Sequence, residues 1–160
     1  MQVRREGEVE VLINTDTKTV YKLISDVTRT GEWSPECRRC QWLDNDQRAA
    51  VGARFRGWNR SGLVRWSRLV EVVSADPSRE FTFRTLTDRF NKDSTTWRYT
   101  LECEDGQTRL RHSYEIHALP KFPVSWIMPL LLRHHADMRP QMAETVERIK
   151  TVAEAEVAAG

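Results

Sequence analysis

Polar and apolar residues alternate from Glu8 to Asn14 (E-V-E-V-L-I-N), the period of a half-buried strand. Thr15, Asp16 and Thr17 then offer N-cap oxygens, and Val20, Leu23, Ile24 and Val27 recur at helical spacing, so a short amphipathic helix follows. Gly31 and Pro35 close that helical region, with Trp33 between them. A series of strand-length segments comes next: Cys40 to Leu43, Ala53 to Asn59, Val64 to Ser74, Glu80 to Thr87, Ser94 to Cys103 and Thr108 to His117. The joints carry turn chemistry: D-N-D-Q after Leu43, N-R-S-G at Asn59 to Gly62, A-D-P-S-R at Ala75 to Arg79, and E-D-G at Glu104 to Gly106. Short joints of this kind make hairpins, so the sheet they predict is antiparallel.

From Pro123 onward the period becomes helical. Ile127, Leu131, His134 or His135, Met138, Met142, Val146, Ile149 and Ala153 share one face. Pro140 falls inside this pattern and predicts a kink or break, whereas Thr145 to Ala158 reads as uninterrupted helix with a frayed end. The expected fold class is α+β: a curved antiparallel sheet wrapped around a long C-terminal helix, with a short helical segment between the first two strands. All 160 residues are expected to form one domain, with its core between residues 8 and 153.

Composition narrows the picture. A hydrophobic share of 39% and a charged share of 30% are those of a soluble globular chain. No apolar run approaches the roughly 18 residues that a membrane span needs, and the N-terminal segment has no apolar region of signal-peptide type, so a cytoplasmic location is expected. The net charge of +2 is spread along the strands without a basic face, which argues against nucleic acid as a partner. Three cysteines, Cys37, Cys40 and Cys103, give no disulfide framework. Cys37 and Cys40 have C-x-x-C spacing, yet zinc would need two more ligands and no second pair of that kind exists. Redox sensing and two ordinary thiols at the start of a strand both stay open.

Several segments, in this order, resemble the START/Bet v1-like (SRPBCC) superfamily and its polyketide cyclase/dehydrase and lipid-transport branch. They are Asp26 to Pro35 (D-V-T-R-T-G-E-W-S-P), Gly52 to Gly57 (G-A-R-F-R-G), Asn59 to Trp66 (N-R-S-G-L-V-R-W) and Val70 to Pro77 with Phe81 and Phe83. Asp93 to Tyr99 (D-S-T-T-W-R-Y) and Glu104 to Leu110, running into Ser113 to Glu115, complete the set. The resemblance implies the helix-grip fold and an internal cavity for a hydrophobic or amphipathic small molecule. It does not imply one task, because that superfamily holds carriers, hormone receptors and aromatase/cyclases.

Strand alternation supplies candidate site residues independently. On Val64 to Val72 the mostly apolar inward set is Val64, Trp66, Arg68, Val70 and Val72. Neighbouring strands turn Phe55, Phe81, Phe83, Trp97, Tyr99, His112 and Tyr114 to the same side. The helical stretch adds Trp126, Leu131, His134, Met138 and Met142 to this candidate ligand-binding set. Such rings either fill a solid core or wall a pocket of about 300–1,000 Å³. Six tryptophans favour the pocket, because rigid walls hold a space open.

Arg68, His112 and Tyr114 are the polar members and the only candidates for catalysis. Arg68 offers a fork for a carboxylate or sits in an internal salt bridge. His112 and Tyr114 either move protons on a ligand carbonyl or orient a bound molecule passively. His134 and His135, as neighbours on a helix, point about 100° apart, so one faces the cavity and no metal is expected. No cofactor is expected. The apolar segment Pro120 to Leu132 reads as a gate, a homodimer contact, a transient membrane contact or a packed connection. Carrier, polyketide cyclase and interaction domain therefore all stay open, with the carrier leading.

Overall fold

The computed structural model describes residues 2–160. Seven strands form one antiparallel sheet: β1 (Glu6–Ile13), β2 (Cys37–Trp42), β3 (Arg54–Ser61), β4 (Val64–Asp76), β5 (Glu80–Thr85), β6 (Ser94–Glu104) and β7 (Gln107–Ala118). Their order across the sheet is β1-β7-β6-β5-β4-β3-β2, so each consecutive pair from β2 to β7 is a hairpin and β7 returns to pair with β1. Where the β6–β7 hairpin turns, Asp105 and Gly106 both have positive φ, 53° and 79°, as a tight right-twisted turn requires.

The described residues also form three α-helices: α1 (Thr17–Ser25), α2 (Val124–Leu131) and α3 (Arg139–Ala159). The Asp16 carboxylate caps α1 by accepting from the Thr19 amide at 2.7 Å. Val20, Leu23 and Ile24 of α1 are buried, as are Met142, Val146, Ile149 and Ala153 of α3. Together with Ile13, Phe81 and Leu110 of the sheet, these α1 residues and Val146, Ile149 and Ala153 make the main core. This is the helix-grip arrangement: the sheet curls around α3, and α1 closes one end.

The break expected at Pro140 is present but begins earlier: α2 ends at Leu131, a 3-10 turn follows at Arg133–Ala136, and Pro140 lies in the first turn of α3. A proline there lacks only an amide that no helical carbonyl would have accepted. The last residues are helical to Ala159 rather than frayed. Among the described residues no helix is long and apolar enough to cross a membrane.

Candidate functional site

The sheet and the helices enclose a cavity of about 570 Å³, which Ile24 at the end of α1 also lines. Its walls are Phe55, Trp66, Val70, Phe81, Phe83, Trp97 and Tyr99 from β3 to β6, His112 from β7, and Met138, Met142 and Thr145 around the start of α3. The rings brace one another rather than collapse: Phe55 meets Phe83 edge-on at 5.6 Å, and Phe83 lies 6.4 Å from Tyr99. The β5–β6 loop, with Phe90, Asn91 and Lys92, and the segment with Leu119 to Phe122 and Val124 also line the cavity.

His112 is a buried polar group in the wall. Its ring stacks face-to-face on Tyr99 at 4.0 Å and its Nδ1 lies 3.2 Å from the Arg98 carbonyl. Burial lowers its pKa to about 4 despite that hydrogen bond. The ring is thus neutral at pH 7, Nδ1 must carry the proton it donates to Arg98, and Nε2 is left as an acceptor. Burial likewise raises the Tyr99 phenol far above its usual value.

Arg68 is 8% exposed and its charge is already used. Nη1 donates to the Asp93 carboxylate at 2.5 Å and Nη2 to the Asp93 carbonyl at 2.8 Å. Only its buried Nε is left without a partner. Of the two readings open from sequence, the internal salt bridge is the one present.

Cys37 and Cys40 also face the cavity. A regular strand would turn residues three apart to opposite faces, but a register shift between Cys37 and Arg39 inserts a bulge. Both Sγ atoms therefore meet above Gly57, 3.4 Å apart. Their mutual hydrogen bond, then burial, raises the Cys37 pKa, while the same contact lowers that of Cys40.

Residues 4–154 match the family described as polyketide cyclase / dehydrase and lipid transport. The chain belongs to that family. A member-like relative of known structure, a Polyketide_cyc-like protein of Corynebacterium glutamicum, shares 31% identity over 95% of this chain and 93% of its own, with a TM-score of 0.62. The Zhui aromatase/cyclase of Streptomyces sp. R1128 shares the fold at a TM-score of 0.73, with 16% identity and 98% of each chain covered. A major latex-like protein of Panax ginseng does so at 0.63, with 13% identity over 94% of this chain and 99% of its own. No match is found among curated proteins.

In this polyketide cyclase/dehydrase family member, four residues of the sequence-derived set lie apart from the cavity. Tyr114 is buried, but its hydroxyl donates to the Arg4 carbonyl at 3.1 Å, outside the cavity wall. Gly7, its partner in register, permits this: a Cβ there would lie 2.7 Å from the Tyr114 ring. His112 and Tyr114 each pack on Trp97 at 5.7 Å, yet they do not converge on one space. Trp126 and Leu131 are 70% and 58% exposed, because α2 stands apart from α3 and does not continue its apolar stripe. His134 leaves the cavity wall to its neighbour His135.

His134 and His135 also correct the expectation that the pair diverges. They occupy the 3-10 turn, and both Nε2 atoms lie 2.8 Å from the same Glu36 Oε1. Burial raises the Glu36 pKa, but hydrogen bonds and charge from His135 and His134 outweigh that and leave it below the usual carboxylate range. Sequence reasoning missed Glu36, Asp93, Thr145 and Gln141 as neighbours of the cavity; Pro35 before Glu36 was the only local hint of an anchored backbone there.

Proposed function

We propose that this chain binds an amphipathic small molecule, with its apolar body against Phe55, Val70, Phe83 and Trp97 and a hydroxyl donating to His112 Nε2. The cavity carries this reading: about 570 Å³ walled mostly by apolar side chains, with few polar groups not already paired inside the protein. The low pKa of His112 favours orientation over proton abstraction, since a base that weak gives little driving force at neutral pH. Family membership and the aromatase/cyclase fold neighbour support one alternative, a polyketide cyclase in which the same His112 Nε2 accepts the proton.

The helix α2 is the natural gate. Its eight residues carry no charge, and none of its described side chains is buried. Phe122 before it and Leu130 within it are 82% and 73% exposed, while Val124, Ser125 and Met128 line the cavity. Movement of this one element would open the wall, and its outer apolar face suits ligand exchange at a membrane surface.

The test is titration with the amphipathic dye 1-anilinonaphthalene-8-sulfonate, alongside native mass spectrometry of the gently purified chain. Thr145→Phe projects a ring into the cavity and is expected to lower dye affinity at least about tenfold while the fold, read by circular dichroism, stays. Unchanged dye binding in that variant would reject the cavity as the binding site. Under the cyclase alternative, His112→Gln abolishes turnover of a linear poly-β-ketone substrate; under the carrier reading it only shifts affinity.

A further inference from the structure

Two segments nearly a hundred residues apart bring three ligand-type side chains together at the rim of the cavity. Glu36 precedes β2, with its carbonyl accepting from Arg60 at 3.0 Å and its amide donating to Ser34 Oγ at 3.3 Å. His134 and His135 occupy the turn after Leu132, a residue with no exposure. That turn is pinned at both ends: the His135 amide donates to Leu132 at 2.9 Å, and the Ala136 carbonyl accepts from Arg4 at 2.8 Å. The backbone on both sides is therefore fixed before any ion arrives.

The side chains are fixed too. The two imidazoles stand edge-to-face at 4.5 Å, and His135 packs edge-on against Trp66 at 5.7 Å. Each ring points Nε2 at one oxygen of one carboxylate, and the three ligand atoms lie within 4.8 Å of one another. Zinc-class ions bind imidazole nitrogen and carboxylate oxygen at about 2.0–2.2 Å, which places tetrahedral donors about 3.3 Å apart. Opening the two 2.8 Å contacts by about half an ångström brings both nitrogen–oxygen pairs to that spacing. Two nitrogens with one oxygen is also a donor set that borderline divalent ions prefer and that calcium and magnesium do not.

We propose that Glu36, His134 and His135 form a three-ligand site for a divalent transition-metal ion of the Zn²⁺ class. Glu36 and His135 line the cavity, so the remaining coordination position opens toward it. Water, or an oxygen of a molecule bound in the cavity, completes the coordination there. The ion would act as a Lewis acid or as an anchor for that oxygen. The C-x-x-C pair is not part of this site, because neither Sγ falls within the cluster.

The experiment is isothermal titration calorimetry of the metal-stripped full chain with Zn²⁺, and absorption spectroscopy with Co²⁺. One ion per chain is expected, with visible Co²⁺ bands but without thiolate charge-transfer absorption. Glu36→Gln and His135→Gln each keep a polar side chain of similar size and are expected to weaken binding at least about tenfold. Cys37→Ser with Cys40→Ser is expected to leave binding unchanged, and circular dichroism reports the fold of every variant. If a Gln variant does not fold, His134→Gln and the Zn²⁺-dependent rise in Tm of the unaltered chain carry the decision. No one-to-one binding, binding that survives loss of Glu36 or both histidines, or binding lost with the cysteines would each overturn the proposal. None of these readouts depends on the cavity ligand, so the metal site and the binding function stand or fall separately.

Discussion

At the end of the molecule closed by α1, Ile13, Val20, Leu110 and Ile149 have no measurable exposure, and their side chains interlock as in any dense protein interior. At the end flanked by α2, residues of the same classes, Phe55, Phe83, Trp97 and Met142, surround an open space. The difference lies in the covering element. α1 and the later part of α3 press an aliphatic stripe into the sheet, whereas the start of α3 packs Met142 against Tyr114 and Ile116 of β7 and the described side chains of the apolar α2 stay unburied. Residue type alone therefore does not separate core from pocket. The distance between the layers does.

Substitutions at the two ends should expose that contrast. Ile149→Ala leaves a hole that the packed end cannot close and is expected to cost about 2–5 kcal/mol, measured as a shift in the urea midpoint. A loss well under 1 kcal/mol would mean that this end is loosely packed as well.

His112 gives the next largest effect, and its sign is fixed by burial. Its folded pKa of about 4 lies below the ordinary 6.5, so the unfolded chain takes up a proton first as pH falls. The corresponding stability is fully present above pH 6.5 and is lost progressively toward pH 4, by about 3 kcal/mol in all. His112→Phe should remove that part of the acid sensitivity. Identical pH profiles for the variant and the parent, by urea unfolding, would show that the ring is charged or solvated in the fold.

Asp93→Ala strips the partner from a nearly buried Arg68 guanidinium. Because the Asp93 side chain is 28% exposed, water offsets part of the loss, and about 1–3 kcal/mol is expected by the same measurement. Trp126→Ala should be the mildest for stability, within about 0.5 kcal/mol, because its ring already faces solvent. Its effect is expected in the rate of dye uptake by stopped-flow fluorescence. Equal damage to folding and uptake would make α2 a packed element of the core and not a gate.

Much of the fold was legible. The alternation in Glu8 to Asn14, the Asp16 cap and the Asp105-Gly106 turn each encode a local geometry that the chain adopts with little reference to distant residues. The inward set of β4, including Arg68, followed from a period of two. Local reasoning failed where an irregularity changed a face. One bulge put Cys37 beside Cys40, and a 3-10 turn in place of continuous helix aimed both His134 and His135 at Glu36. The same break turned Trp126 and Leu131 outward. Asp93, the counter-ion of Arg68, and Glu36, the partner of the histidines, lie 25 and 98 or more residues from those they meet, beyond the reach of any periodic pattern.

The sequence by itself thus determined the elements, their order, the hairpin pairing and which strand faces are apolar, because caps, turns and periodicity act over a few residues. Tertiary structure alone decided that the aromatic face walls a space of about 570 Å³, that Tyr114 stands outside it and that a carboxylate joins two imidazoles at its rim. Those outcomes depend on how far the helices stand from the sheet. That separation is set by the balance of packing over the whole chain, and no short stretch of residues encodes it.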